Sequence, residues 1–146
     1  MQDAIISIKG MPGSDELGDE VIELVTDGEY SYNDGREATF SYMESELTGL
    51  EGTRTTFMID RDFVTLTREG TVNSHMIFEE GRKHLSMYET PFGATTVGVD
   101  TKRVNVSLDE FGGDLEIVYS LDVNQEVIGR NKFKINVKKR RDIPPA

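Results

Sequence analysis

Apolar and polar residues alternate with a period of two along most of this chain, and nowhere do they hold the i, i+3, i+4 spacing of an amphipathic helix. Residues 4–9, with Ile5, Ile6 and Ile8, predict a first strand, and the Gly, Pro and acidic content of 10–16 predicts a loop. A second strand begins near Asp19 and sets Ile22, Leu24, Thr26, Gly28 and Tyr30 on one face. Gly28 inside it predicts a bulge or bend. Asn33-Asp34-Gly35 is a hairpin signal, because Asn and Asp tolerate positive φ and Gly adopts it freely. The third strand turns Ala38, Phe40, Tyr42 and Glu44 to one side. After a turn bracketed by Gly49 and Gly52, Thr53, Thr55, Phe57 and Ile59 share a face of a fourth strand. Val64, Leu66 and Arg68 do so in a fifth, and Val72, Ser74, Met76 and Phe78 in a sixth. In the seventh, Leu85, Met87 and Glu89 form the apolar stripe, with His84, Ser86 and Tyr88 opposite.

The stretch Tyr88-Glu89-Thr90-Pro91-Phe92-Gly93 reads as a corner: Pro removes a ladder donor and Gly permits an unusual φ. A long eighth strand follows, from about Thr95 to Leu108. Val97, Val99 and Thr101 share one parity, and Val104, Val106 and Leu108 the other. A one-residue slip keeps both sets facing the same way, so a bulge or break is expected between Thr101 and Arg103. Asp109 to Gly113 is a turn, with room for one helical turn. Leu115, Ile117, Tyr119, Leu121 and Val123 then alternate without interruption. A last strand places Val127, Gly129, Asn131, Phe133, Ile135 and Val137 on one face. Connections of about two to six residues suit antiparallel neighbours, since parallel strands need crossovers of a dozen or more. A meander this long closes to remove its edges. The expectation is a single-domain, all-β, antiparallel up-and-down barrel of about eight to ten strands over residues 1–138, with little or no helix. Residues 139–146 form a basic, Pro-containing tail.

Composition narrows the function classes. With 146 residues the chain can bury roughly two-thirds of its unfolded surface. Its formal net charge of −11 argues against a nucleic-acid binder, which needs a basic face, and against an anionic membrane surface. There is no cysteine, which excludes disulfides, thiolate metal sites and a cysteine nucleophile. No apolar run approaches the roughly 18 residues of a membrane span, and the N-terminus lacks the pattern of a signal peptide, so a cytoplasmic location is expected.

The candidate chemistry lies in polar residues on apolar stripes: Glu44, Arg68 and Glu89, with Tyr42 and Tyr119. Arg68 at a barrel mouth would take a carboxylate or phosphate bidentately, with a tyrosine orienting it. The competing reading is an internal ion pair, or polar groups at a wet rim; a buried Arg68 then requires an acidic partner. His75 and His84 lie opposite the apolar stripes and read as surface residues, and no paired-histidine spacing suggests a metal site. The acidic run from Asp15 to Glu20 lacks calcium-loop spacing. No nucleophile elbow or phosphate-binding glycine loop is visible. Tyr30, Tyr32, Tyr42 and Phe40 serve as core filling rather than as a stacking platform.

Four segments together carry a resemblance: Thr48-Gly49-Leu50-Glu51-Gly52-Thr53, Val72-Asn73-Ser74, the corner 88–93, and Gly112-Gly113-Asp114-Leu115 leading to Tyr119. Their order and spacing resemble the YwiB-like family of bacterial proteins of unknown function, over about residues 5–137. The resemblance implies a calycin-like barrel, similar in outline to lipocalins. It brings no catalytic residue with it.

Three functions remain in view. The first is a non-enzymatic barrel binding a small apolar or carboxylate ligand in its lumen or at its mouth, through Glu44, Arg68, Tyr88 and Tyr119. The second is a protein-interaction or homodimer module. The third and least supported is an enzyme. No catalytic residue, metal or cofactor is assigned. The presumed inner residues Phe40, Phe57, Met76, Phe78, Met87 and Phe133 are large enough to fill an eight-stranded lumen.

Overall fold

The computed structural model describes residues 2–13, 22–33, 37–44, 50–123 and 126–139. Every one of its regular elements is a strand: β1 (Gln2–Gly13), β2 (Ile22–Asn33), β3 (Glu37–Met43), β4 (Arg54–Ile59), β5 (Val64–Glu69), β6 (Asn73–Phe78), β7 (Lys83–Thr90), β8 (Gly93–Asp109), β9 (Gly112–Val123) and β10 (Glu126–Lys139). Each pairs antiparallel with its sequence neighbour, and β1 pairs with β10 to close the barrel. None of the described residues forms a helix long and apolar enough to cross a membrane. The β4–β5, β6–β7 and β8–β9 turns gather at what we call the lower end. The β5–β6 and β7–β8 turns lie at the upper end.

Side chains directly opposite one another on paired strands share a face, so the register shows how the lumen is layered. Ala38, Ile59, Val64 and Phe78 form one row, and Phe40, Phe57, Leu66 and Met76 the next above it. All eight are buried, as the alternation predicts. An aromatic chain fills the middle of the barrel. Phe40 stacks on Phe57 at 4.9 Å, Phe57 meets Phe133 edge-on at 6.3 Å, Phe133 lies 5.5 Å from Tyr119, and Tyr119 meets Phe78 at 4.8 Å. Such pairs add roughly 0.5–1.5 kcal/mol each to the burial of their area.

Thr101 pairs with Tyr119 and Arg103 with Val118, which leaves Lys102 as the extra residue of a bulge. Val99 and Thr101 are buried before it, and Val104 and Leu108 pack against the core after it. The parity switch therefore has the cause expected. The β6–β7 turn docks on the same spot. The Gly81 amide donates to the Thr101 carbonyl at 2.9 Å, the Thr101 amide donates to the Arg82 carbonyl at 3.1 Å, and the Val104 amide donates to Glu80 Oε2 at 3.1 Å. Beyond this point β8 is laddered to β9 alone and forms a lip at the lower end. Tyr30, from β2, donates its hydroxyl to the Asp109 carbonyl on that lip at 2.6 Å. Burial, then the Asp109 charge and then Tyr32, push the Tyr30 phenol up to about 12.

Several expectations are corrected. The faces of β7 are inverted: Leu85 is 74% and Met87 52% exposed, and Glu89 is exposed, while Ser86 is buried and His84 and Tyr88 are half-buried. The β6–β7 ladder has only the pairs Asn73–Glu89 and Ser74–Tyr88, and the Ser86 hydroxyl donates to the His75 carbonyl where it stops. A polar inward face is thus paired rather than misplaced. His84 likewise turns inward, with Nε2 2.9 Å from Glu79 Oε1. A second register shift, between Val127 and Gly129, turns Val127 outward to 67% exposure. Residues 10–13 continue β1 rather than forming a loop. Gly28 marks no bulge, since the register runs through it on both sides. It is needed because a Cβ there would run into Ile6 Cδ1 and the Ser41 carbonyl oxygen. Pro91-Phe92 is a two-residue turn closed by Gly93 at φ 132°, and residues 110–111 make another with no helical turn. The Asp34-Gly35 hairpin signal, the acidic run 15–20 and the tail from 140 lie outside the described residues.

Two measurements check these contacts. Deleting Lys102 should rotate Val104 and Leu108 outward and cost more than about 3 kcal/mol in denaturant unfolding. Lys102→Ala, on an exposed side chain, should stay within about 0.5 kcal/mol of the parent. A deletion costing less than about 1 kcal/mol would refute the bulge. Tyr30→Phe should cost about 1 kcal/mol at neutral pH. The folded protein holds the Tyr30 proton more tightly than the unfolded chain. That stability is complete below pH about 10 and is lost as pH rises toward about 12. The gap between parent and variant should therefore narrow over that interval; a constant gap would show that the phenol is not perturbed.

Candidate functional site

Above the apolar rows the lumen becomes polar. Tyr42, Thr55, Arg68, Ser74 and Tyr88 face one another in register across five strands, β3 to β7. Glu44 lies one step further up, anchored by its amide donating to the Thr53 carbonyl at 2.8 Å. Thr55 is fully buried and donates from Oγ1 to Glu44 Oε1 at 3.0 Å. Thr53 Oγ1, also fully buried, accepts from the Val72 amide at 3.2 Å. Strand alternation dictates this row from β3 to β6, where Tyr42, Thr55, Arg68 and Ser74 are each spaced by two from an apolar residue of the core, Phe40, Phe57, Leu66 and Met76.

Four buried polar atoms of the barrel lack any hydrogen-bond partner: Glu44 Oε2, Arg68 Nε and Ser74 Oγ at this end, and Thr101 Oγ1 beside the β6–β7 turn. Thr101 stands directly opposite Tyr119 on the β8–β9 wall. Among the described residues no carboxylate forms an ion pair with Arg68. Such orphaned atoms are costly, at about 1–3 kcal/mol each and more for a charged group. Burial raises the pKa of both Tyr42 and Tyr119. The Glu44 charge raises Tyr42 further, and Arg68 opposes the rise in both. Arg68 therefore acts on phenols of β3 and β9, on different walls of the barrel. Both phenols stay protonated at neutral pH; Tyr42 shares a hydrogen bond with Glu44, and Tyr119 is available as a donor.

The structure thus brings Arg68 together with Tyr119, and Glu44 together with Tyr42 and Thr55. Tyr88 is half-buried, packs against the core and faces Ser74, next in the row to Arg68. Glu89 points out and does not belong. The sequence reading missed Ser74 as a member. Its one signal was a hydroxyl within an otherwise apolar stripe. Among the described residues, no three His, Asp or Glu side chains are placed to hold a metal ion.

A cleft of about 590 Å³ lies at the lower end between the 60–63 turn and the β8 lip. Three of its four acids are already engaged. Asp60 Oδ1 accepts from the Arg61 amide at 2.7 Å, Glu80 Oε2 from Val104, and Asp109 Oδ1 from the Phe111 amide at 2.8 Å. Unmet hydrogen-bonding capacity, rather than volume, singles out the upper lumen.

Known proteins agree with this architecture. The crystal structure of the YwiB protein from Bacillus subtilis superposes with a TM-score of 0.82 at 24% identity, covering 96% of this chain and 93% of that one. In sequence, the uncharacterized β-barrel protein YwiB of Bacillus subtilis (strain 168) is 30% identical over 112 residues, 77% of each chain. The model of the family described as a domain of unknown function, DUF1934, matches residues 6–135. The ten-stranded barrel and the family match converge: this chain belongs to the DUF1934 family of β-barrel proteins, whose function is unknown.

Proposed function

We propose that this chain is a cytoplasmic small-ligand-binding barrel whose site is the upper lumen, with Arg68 taking an anionic group of the ligand. One observation carries the reading. Arg68 is half-buried, its Nε lies inside the barrel without a partner, and no described carboxylate pairs with its guanidinium. A structural arginine in that position would have an acidic partner, because an unpaired buried charge is strongly unfavourable. Below it the aromatic chain closes the lumen and limits the ligand to a small molecule. Tyr119 supplies a donor, Tyr42 holds Glu44 through its hydroxyl, and Tyr88 lines the wall toward the β7–β8 turn.

A second reading, a homodimer, has an observation of its own. Leu85 and Met87 stand side by side on the outer face of β7, largely exposed. Light scattering should then give twice the chain mass, reduced to one chain by Leu85→Lys; a monomeric parent would dismiss it.

The ligand reading is tested with Arg68→Met, which keeps length and removes charge. Without ligand, the variant should be as stable as the parent or more stable, since the orphaned charge is gone. In a thermal-shift screen of small anions the parent should be stabilised, by about 2.7 kcal/mol at a hundredfold excess over Kd, and the variant should not respond. A loss of more than about 2 kcal/mol in the free variant, with no anion stabilising the parent, would make Arg68 a structural residue.

A further inference from the structure

Resting on the ligand reading above, we infer that the upper lumen selects a ligand carrying a carboxylate and an ammonium group together, as a free α-amino acid does. The orphaned atoms make opposite demands. Arg68 Nε–H needs an acceptor, and Glu44 Oε2 needs a donor. They belong to one cluster. Thr55, which bonds the other Glu44 oxygen, stands directly opposite Arg68 in the β4–β5 ladder. The Tyr42 hydroxyl feels both charges. Yet Glu44 and Arg68 do not pair with each other, so each holds its capacity open.

An anion alone would satisfy Arg68 and bring a negative charge beside the buried Glu44 carboxylate. A cation alone would do the reverse at Arg68. Either leaves one buried charge unmatched, whereas a ligand with both groups matches the two and adds no net charge to the lumen. The Ser74 hydroxyl can donate or accept, and it fits the remaining polar atoms of either group. Charge-assisted hydrogen bonds of this kind are the strong ones, so losing either should be plainly visible in affinity.

Three probes on one carbon skeleton separate the cases. Alanine has both groups, propionate lacks the ammonium and ethylamine lacks the carboxylate. Titrated into the ¹⁵N-labelled protein, alanine should shift the amides of Thr55, Arg68 and Ser74 and bind about ten-fold or more tightly than either of the others. Glu44→Gln, checked for a parent-like spectrum, should bring alanine down to the affinity of propionate. If propionate binds as well as alanine and Glu44→Gln changes nothing, the site is a simple anion site: the two-charge inference falls and the ligand reading stands. If none of the three shifts any amide of the row, water alone fills these positions and both fall.

Discussion

The architecture depends on one slip of register. β8 is the longest strand, and its inward residues change parity halfway along. Only the extra residue at Lys102 keeps Val99 and Thr101 on the same side as Val104 and Leu108. The β6–β7 turn fastens on that bulge through the Thr101 amide and carbonyl. The lower half of β8 is thereby released from β7 and becomes a lip, which Tyr30 reaches from β2. Thr101, fully buried at the bulge, also carries a hydroxyl with no hydrogen-bond partner. The device that shapes the wall thus also places a polar group inside it.

The barrel divides its interior by chemistry. Stacked and edge-on aromatics occupy the middle, where four contacts link β3, β4, β6, β9 and β10. Above them the inward positions are hydroxyls, phenols, one guanidinium and one carboxylate. An interior evolved only for stability would carry apolar residues there, or would pair its charges. Proteins hold unmatched polar groups mainly where function needs them, at the expense of stability. The lower cleft shows the contrast, for it is roomy yet three of its four acids already accept backbone amides.

Much of this was legible in the chain. From β3 to β6 an apolar residue stands at every second position, so the inward face, including Glu44 and Arg68, could be read directly. The β8 slip was legible too, because valines stand on both sides of it. β7 was misread because Leu85 and Met87 are apolar but lie outside, while its inward face bears Ser86, His84 and Tyr88. Val127 was misread because a second slip, near Ile128, has no hydrophobic signature of its own. The nearness of Tyr119 to Arg68 depends on the packing of strands far apart in sequence. Alternation within one strand carries no information about that.

The most direct measurement is the native mass spectrum of the protein purified from its own host, compared with its spectrum under denaturing conditions. The ligand reading requires a native mass above the 16.4 kDa of the chain by one small molecule, which is lost on unfolding and is absent from Arg68→Met. A native mass equal to that of the bare chain would contradict it.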